Sequence, residues 1–97
     1  MKSEGSFKTG VLKRIRERFP DCVISKMDAG YLQGFPDALI LLGEKWAALE
    51  FKKTKNATHR PNQDWWVDKL DAMSYSAFIY PENEEEILDA LFRFFET

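Results

Sequence analysis

A single mixed α/β (α+β) domain, with its elements in the order αβββαβα, is what the sequence predicts. Three observations lead there. Apolar residues recur at helical spacing in three stretches, at both ends of the chain and once between them. Short runs rich in β-formers fill the intervals, and two of these runs are joined by Gly43-Glu44, a glycine-first pair suited to a tight hairpin. The 97 residues, 44% of them hydrophobic, supply one core and leave no room for a second, so residues 1 to 97 are read as one domain.

In chain order, Phe7, Val11, Ile15 and Phe19 recur on one helical face with Leu12 beside them, and Pro20 stops the pattern, giving a first helix over Ser3 to Phe19. Cys22 to Met27 reads as a short strand, and Asp28 to Phe35, with Gly30 and Gly34, as the loop leaving it. Ala38 to Leu42 and Lys45 to Lys53 are the two hairpin strands. Pro61 suits the first turn of a second helix, on which Trp66, Leu70 and Met73 share a face with Val67 and Trp65 near it. Ser76 to Tyr80 makes a fourth strand, ended by Pro81. Asn83 with Glu86 three residues on resembles a capping box at the start of a last helix carrying Ile87, Leu88, Leu91, Phe92 and Phe95.

Composition narrows the chemistry. One cysteine, Cys22, and one histidine, His59, exclude an internal disulfide and a Cys/His zinc cage, so any metal must sit on oxygens. No apolar run has the length of a membrane span, and the N-terminal residues carry no hydrophobic signal region, so a cytosolic protein without membrane partners is expected. The net charge of −2 is polarised: residues 1 to 60 carry twelve Lys and Arg against seven Asp and Glu, whereas residues 61 to 97 carry two against nine. Charge therefore permits a nucleic-acid partner without arguing for one.

The informative segment runs from Gly34-Phe35-Pro36-Asp37 to Glu50-Phe51-Lys52. With Gly43 and Glu44 as the turn, Leu42 faces Lys45, Leu41 faces Trp46, and counting outward brings Asp37 opposite Glu50. Opposed residues have Cβ atoms roughly 4.5 to 5.5 Å apart, and like charges there destabilise the pair unless something positive intervenes. A divalent cation such as Mg²⁺, which takes one or two carboxylates plus waters and phosphate oxygens, removes that penalty. Period-two alternation adds Lys52 to the same face. A hard cation beside an ammonium suits phosphodiester hydrolysis, the cation polarising the phosphoryl oxygen and acidifying a water, the lysine stabilising negative charge.

Two further polar residues lie on apolar stripes. With Val11 at zero and about 100° per residue, Glu4 falls at about 20°, whereas Glu17 falls at about 240°, toward solvent. Glu4 either joins the site or merely complements the helix macrodipole. Gln63, seven residues before Leu70, either hydrogen-bonds Lys52 or a carboxylate or is a partly exposed first-turn residue. Lys53, Lys55, His59 and Arg60 form a basic loop placed either to meet phosphates or simply to be solvated. Tyr31 and Trp65 are the aromatic candidates for stacking on unpaired bases.

The string Pro36-Asp37 followed by Glu50-Phe51-Lys52, on a hairpin after a helix and a strand, resembles the signature of PD-(D/E)XK nucleases. The predicted order is similar to that superfamily's restriction-endonuclease-like αβββαβ core with an additional C-terminal helix, over residues 4 to about 80. Gly34-Phe35-Pro36-Asp37 and Pro61-Asn62-Gln63 carry a narrower likeness to small stand-alone phage and bacterial nucleases related to the VRR-nuc group and to phage endonuclease I. The resemblance implies that Asp37, Glu50 and the backbone carbonyl of Phe51 hold Mg²⁺ or Mn²⁺, that Lys52 assists catalysis, and that Glu4 and Gln63 are accessory, Glu4 as a further metal ligand. Val67 stands where the exonuclease branch often has a tyrosine four positions after its glutamine, so an endonuclease is the expectation.

The function expected is thus metal-dependent cleavage of DNA, with branched, flapped or four-way-junction substrates and a homodimer as its context. The alternatives are a non-catalytic DNA-binding module of the same fold, and a protein-interaction module using the acidic C-terminal helix. Replacing Asp37 or Lys52 is expected to leave the fold intact.

Overall fold

The computed structural model describes residues 3–28 and 30–97. Helix α1 spans Glu4–Arg18, and its start is capped where the Ser3 hydroxyl accepts from the Ser6 amide at 3.1 Å. Strands β1 (Val23–Lys26), β2 (Ala38–Leu42) and β3 (Lys45–Phe51) are followed by α2 (Gln63–Met73), β4 (Tyr75–Ile79), a 3₁₀ turn (Pro81–Asn83) and α3 (Glu84–Glu96). The predicted order of elements holds throughout, with ends displaced by a residue or two, as fraying ends do.

The four strands form one sheet in the order β1-β2-β3-β4. The first three are an antiparallel meander, and β4 joins β3 in parallel because α2 carries the chain back across one face. The turn at Gly43-Glu44 has Gly43 at φ +60°, and the hairpin register it imposes is the expected one, from Leu42 opposite Lys45 to Ala38 opposite Leu49.

Alternation along the strands divides the buried residues between two layers. Ala38, Ile40, Ala47, Leu49, Phe51 and Ile79 pack with Phe7, Val11, Leu12 and Ile15 of α1 and with Leu88, Leu91 and Phe95 of α3. Phe7 and Phe51 meet edge to face, with ring centroids 6.0 Å apart. The face shared by Ala48 and Glu50 is covered by α2, whose Val67, Leu70 and Gln63 are buried. The acidic start of α3 is tied to α1 by Arg14, which donates to Glu84 and Glu85 at 2.7 Å each, so part of the C-terminal negative excess meets basic residues of the first helix.

Four details differ from the sequence expectation. Pro61 lies before α2, not in its first turn: Asn62, at φ +72°, is the N-cap residue, and the helix begins at Gln63. Met73 is 62% exposed and Trp66 half-buried, so the buried stripe runs through Val67 and Leu70 instead. Asn83 caps backward, its side chain accepting from the Tyr80 amide at 2.8 Å and donating to the Phe78 carbonyl at 3.1 Å, because a 3₁₀ turn precedes α3. Strand β3 ends at Phe51, and Lys52 continues the pairing only through its amide, which donates to the Ile79 carbonyl at 2.9 Å.

Candidate active site

A cavity of about 440 Å³ opens where the ends of β2 and β3 meet the start of α1 and the loops before β2 and α2. Asp37, Glu50, Phe51, Lys52, Gln63, Glu4 and Arg60 all line it. The local reason is the hairpin. Its register carries Asp37 to the level of Glu50 and Phe51, and the Asp37 Oδ2 accepts the Phe51 amide at 2.9 Å. The Asp37 carbonyl meanwhile accepts from the Met27 amide at 2.8 Å, so the residue is held by the strands on either side of it.

Glu50 is 4% exposed and Lys52 6%, which is rare for such groups unless they are paired. Gln63 supplies the pairing. Its Nε2 donates to Glu50 Oε2 at 3.1 Å, and its Oε1 accepts from the Lys52 ammonium at 2.6 Å and from the Arg60 amide at 2.8 Å. Lys52 also donates to the Thr58 carbonyl at 3.1 Å, and its Nζ stands 4.0 Å from Glu50 Oε2. The other carboxylate oxygen, Glu50 Oε1, is fully buried with no hydrogen-bond partner among the described residues.

That environment raises the Glu50 carboxyl from 4.5 to about 8. Burial is the main cause, followed by the negative charge of Asp37; the charge of Glu4 adds to it, while Lys52 opposes it. Two acids sharing a site with one buried oxygen unpartnered form a donor set that suits a small divalent cation. Asp37 and Glu50, which both line the cavity, could hold one. Glu4 lies on the cavity wall, as its helical angle requires, but among the described residues no three His, Cys, Asp or Glu side chains converge closely enough to hold a metal ion by themselves. Glu17 is exposed and lines no part of the cavity.

Asp37 and Lys52 also bond to the main chain, Asp37 to the Phe51 amide and Lys52 to the Thr58 carbonyl. The basic loop divides. Lys53 and Lys55 are exposed, and Arg60 reaches the cavity. His59 lies flat on the sheet edge and stays exposed, its ring stacked on Phe78 at 4.1 Å between centroids and its Nδ1 bonded to Asp64 Oδ1 at 2.7 Å. Tyr31 is 86% exposed and Trp65 59%. Tyr31, with Met27, Leu32 and Phe35, borders a smaller apolar groove of about 110 Å³, and Phe35 lines both cavities.

Sequence reasoning missed the contributions of the loop backbone. The Thr58 carbonyl and the Arg60 amide complete the coordination of Lys52 and Gln63, and no side-chain pattern announces them. Gly34 did leave a signal. At φ +84°, it passes so close to Pro61 and Asn62 that an added Cβ would lie 2.7 Å from the Pro61 carbonyl oxygen. Trp66 reinforces this junction, its Nε1 donating to the Gln33 carbonyl at 3.1 Å and its ring meeting Phe35 edge to face.

No family model matches the sequence, and no curated protein matches it. Comparison with solved structures finds a VRR_NUC domain with a TM-score of 0.60 and 21% identity, covering 84% of this chain and 92% of that one. The helix, the mixed four-stranded sheet and the crossover helix that frame the cavity thus compose a VRR-nuc-like fold.

Proposed function

We propose that this chain is a divalent-metal-dependent nuclease that hydrolyses DNA phosphodiester bonds internally. The observation that carries the proposal is the buried, unpartnered oxygen of Glu50, set beside Asp37 and within 4.0 Å of an ammonium across its other oxygen. A cluster of this kind is costly to fold around and serves no packing purpose. The likeness to a VRR_NUC domain supports the same reading.

Asp37, Glu50 and the Phe51 carbonyl would hold Mg²⁺ or Mn²⁺, and Glu4, on the cavity wall, would bind it through a water. A cation held there polarises a phosphodiester and lowers the pKa of a water. Lys52, fixed by Gln63 and Thr58, presents its positive charge to the phosphoryl oxygens as negative charge grows on them. Gln63 keeps that ammonium from collapsing onto Glu50. Arg60, Lys53 and Lys55 meet flanking phosphates, and Tyr31 and Trp65 offer open aromatic faces to unpaired bases of branched, flapped or junction DNA. With one such site per chain, cutting both strands of a duplex calls for two copies, hence a homodimer.

The test is incubation of the purified protein with single-stranded, duplex, flap and four-way-junction DNA in Mg²⁺, Mn²⁺ or chelator. Metal-dependent internal cleavage is expected. Binding without cleavage in either metal would instead indicate a DNA-binding module that keeps the fold and lacks the reaction.

A further inference from the structure

His59 touches three parts of the site's frame while contributing nothing to the cavity wall itself. Its ring lies at 17° to that of Phe78, the in-register partner of Glu50 on β4. Its Nδ1 is bonded to Asp64, the residue after Gln63 in the first turn of α2. Its chain neighbours are the two residues whose backbones hold the site: the Thr58 carbonyl accepts from Lys52, and the Arg60 amide donates to Gln63. The segment around it lies outside any helix or strand, so its path depends on side-chain anchors. One nitrogen already engaged by a carboxylate is also a poor approach for a phosphate, because Asp64 repels it.

We propose that His59 is a positioning residue, a brace that clamps the loop of residues 57–61 between β4 and α2 so that its backbone holds Lys52 and Gln63 against Glu50. The imidazole combines a flat face for Phe78 with an in-plane nitrogen for Asp64. The catalytic part of the inference rests on the nuclease reading above; the structural part does not. Loss of the brace releases the Thr58 carbonyl and the Arg60 amide, and the lysine ammonium loses its fixed position.

The experiment compares the full-length protein with His59→Ala and His59→Phe by amide hydrogen exchange and by DNA cleavage kinetics in Mn²⁺. In His59→Ala the Arg60 amide is expected to exchange faster while the Ile40 and Leu49 amides in the sheet keep their protection. The kcat is expected to fall by about ten- to a hundredfold, the scale of a small misplacement of a reacting group, with KM unchanged. His59→Phe, which keeps the stack on Phe78 and loses the bond to Asp64, is expected to recover part of both. A raised KM with unchanged kcat and a shallower salt dependence would make His59 a phosphate contact and overturn the proposal. Unchanged exchange at Arg60, exchange lost across the whole sheet, or a His59→Phe variant as impaired as His59→Ala would overturn it equally. If the wild-type protein cuts no DNA, the nuclease reading fails, and the exchange at Arg60 alone decides whether the brace exists.

Discussion

Gln63 and Lys52 share a buried hydrogen bond of 2.6 Å, in which the amide oxygen accepts from the ammonium while the amide nitrogen donates to Glu50. The glutamine thus bridges the ammonium and the Glu50 carboxyl. Gln63→Ala removes both bonds and the one accepted from the Arg60 amide, and leaves the ammonium with Thr58 and Glu50. Urea denaturation is expected to show a loss of about 1–3 kcal/mol, the cost of leaving buried polar groups unsatisfied. Cleavage in Mn²⁺ is expected to fall more steeply than stability, because Lys52 then neutralises Glu50 instead of facing the substrate.

Glu50 sets a pH dependence. Its carboxyl is raised to about 8 in the folded protein from an ordinary 4.5. Between these values the unfolded chain has released the proton and the folded chain retains it, so the slope of stability against pH is negative. The metal-free protein is expected to lose stability as pH rises from about 4.5 to about 8, and to level off above that range. Urea midpoints measured in chelator across this range check the sign. Glu50→Gln should flatten the profile, and Mg²⁺ should restore stability at the alkaline end, where the carboxyl is already ionised, and release a proton when it binds below about pH 8.

Two glycines make opposite predictions. Gly34→Ala forces a side chain into left-handed backbone and against the Pro61 carbonyl at 2.7 Å. A loss of about 1–3 kcal/mol is expected, together with weaker cleavage as the loop carrying Phe35 and Asp37 moves. Gly10→Ala, inside α1 with nothing within 4 Å of the added carbon, should stabilise the protein by about 1 kcal/mol. Thermal unfolding of the two variants beside the parent measures both.

The two acids of α1 separate a role in the site from a place on the helix. Glu4 lines the cavity and its charge acts on Glu50, whereas Glu17 is exposed elsewhere. Glu4→Gln is expected to lower cleavage several-fold, on the order of a lost outer-shell ligand contact, and Glu17→Gln to leave it unchanged. Parallel cleavage assays of the two variants check this, and equal effects would remove Glu4 from the site.

What could be read in advance depended on which physical signal each feature leaves. The hairpin register followed from counting outward from Gly43-Glu44, and the observed pairing of Ala38 with Leu49 puts Asp37 at the level anticipated. Glu4 and Gln63 were visible because helical periodicity places them on buried stripes. Local turn geometry left weaker traces. Asn62 takes a left-handed conformation that displaces Pro61 from α2, and Asn83 bonds backward to Tyr80, since neither preference is encoded by the residue alone. His59 sits in a run of basic residues, and neither its stack on Phe78 nor its bond to Asp64 leaves a trace in that run. The desolvation of Glu50 was likewise invisible, because it depends on how completely α2 covers β3.

The most direct test is cleavage of supercoiled plasmid DNA in Mn²⁺ by the wild-type protein and by Asp37→Asn, a variant whose amide oxygen can still accept the Phe51 amide. Nicking by the wild type and its loss in Asp37→Asn, with urea midpoints alike, is the predicted result. Equal nicking by the two proteins would contradict the account, since the cut would then owe nothing to the carboxylate facing Glu50.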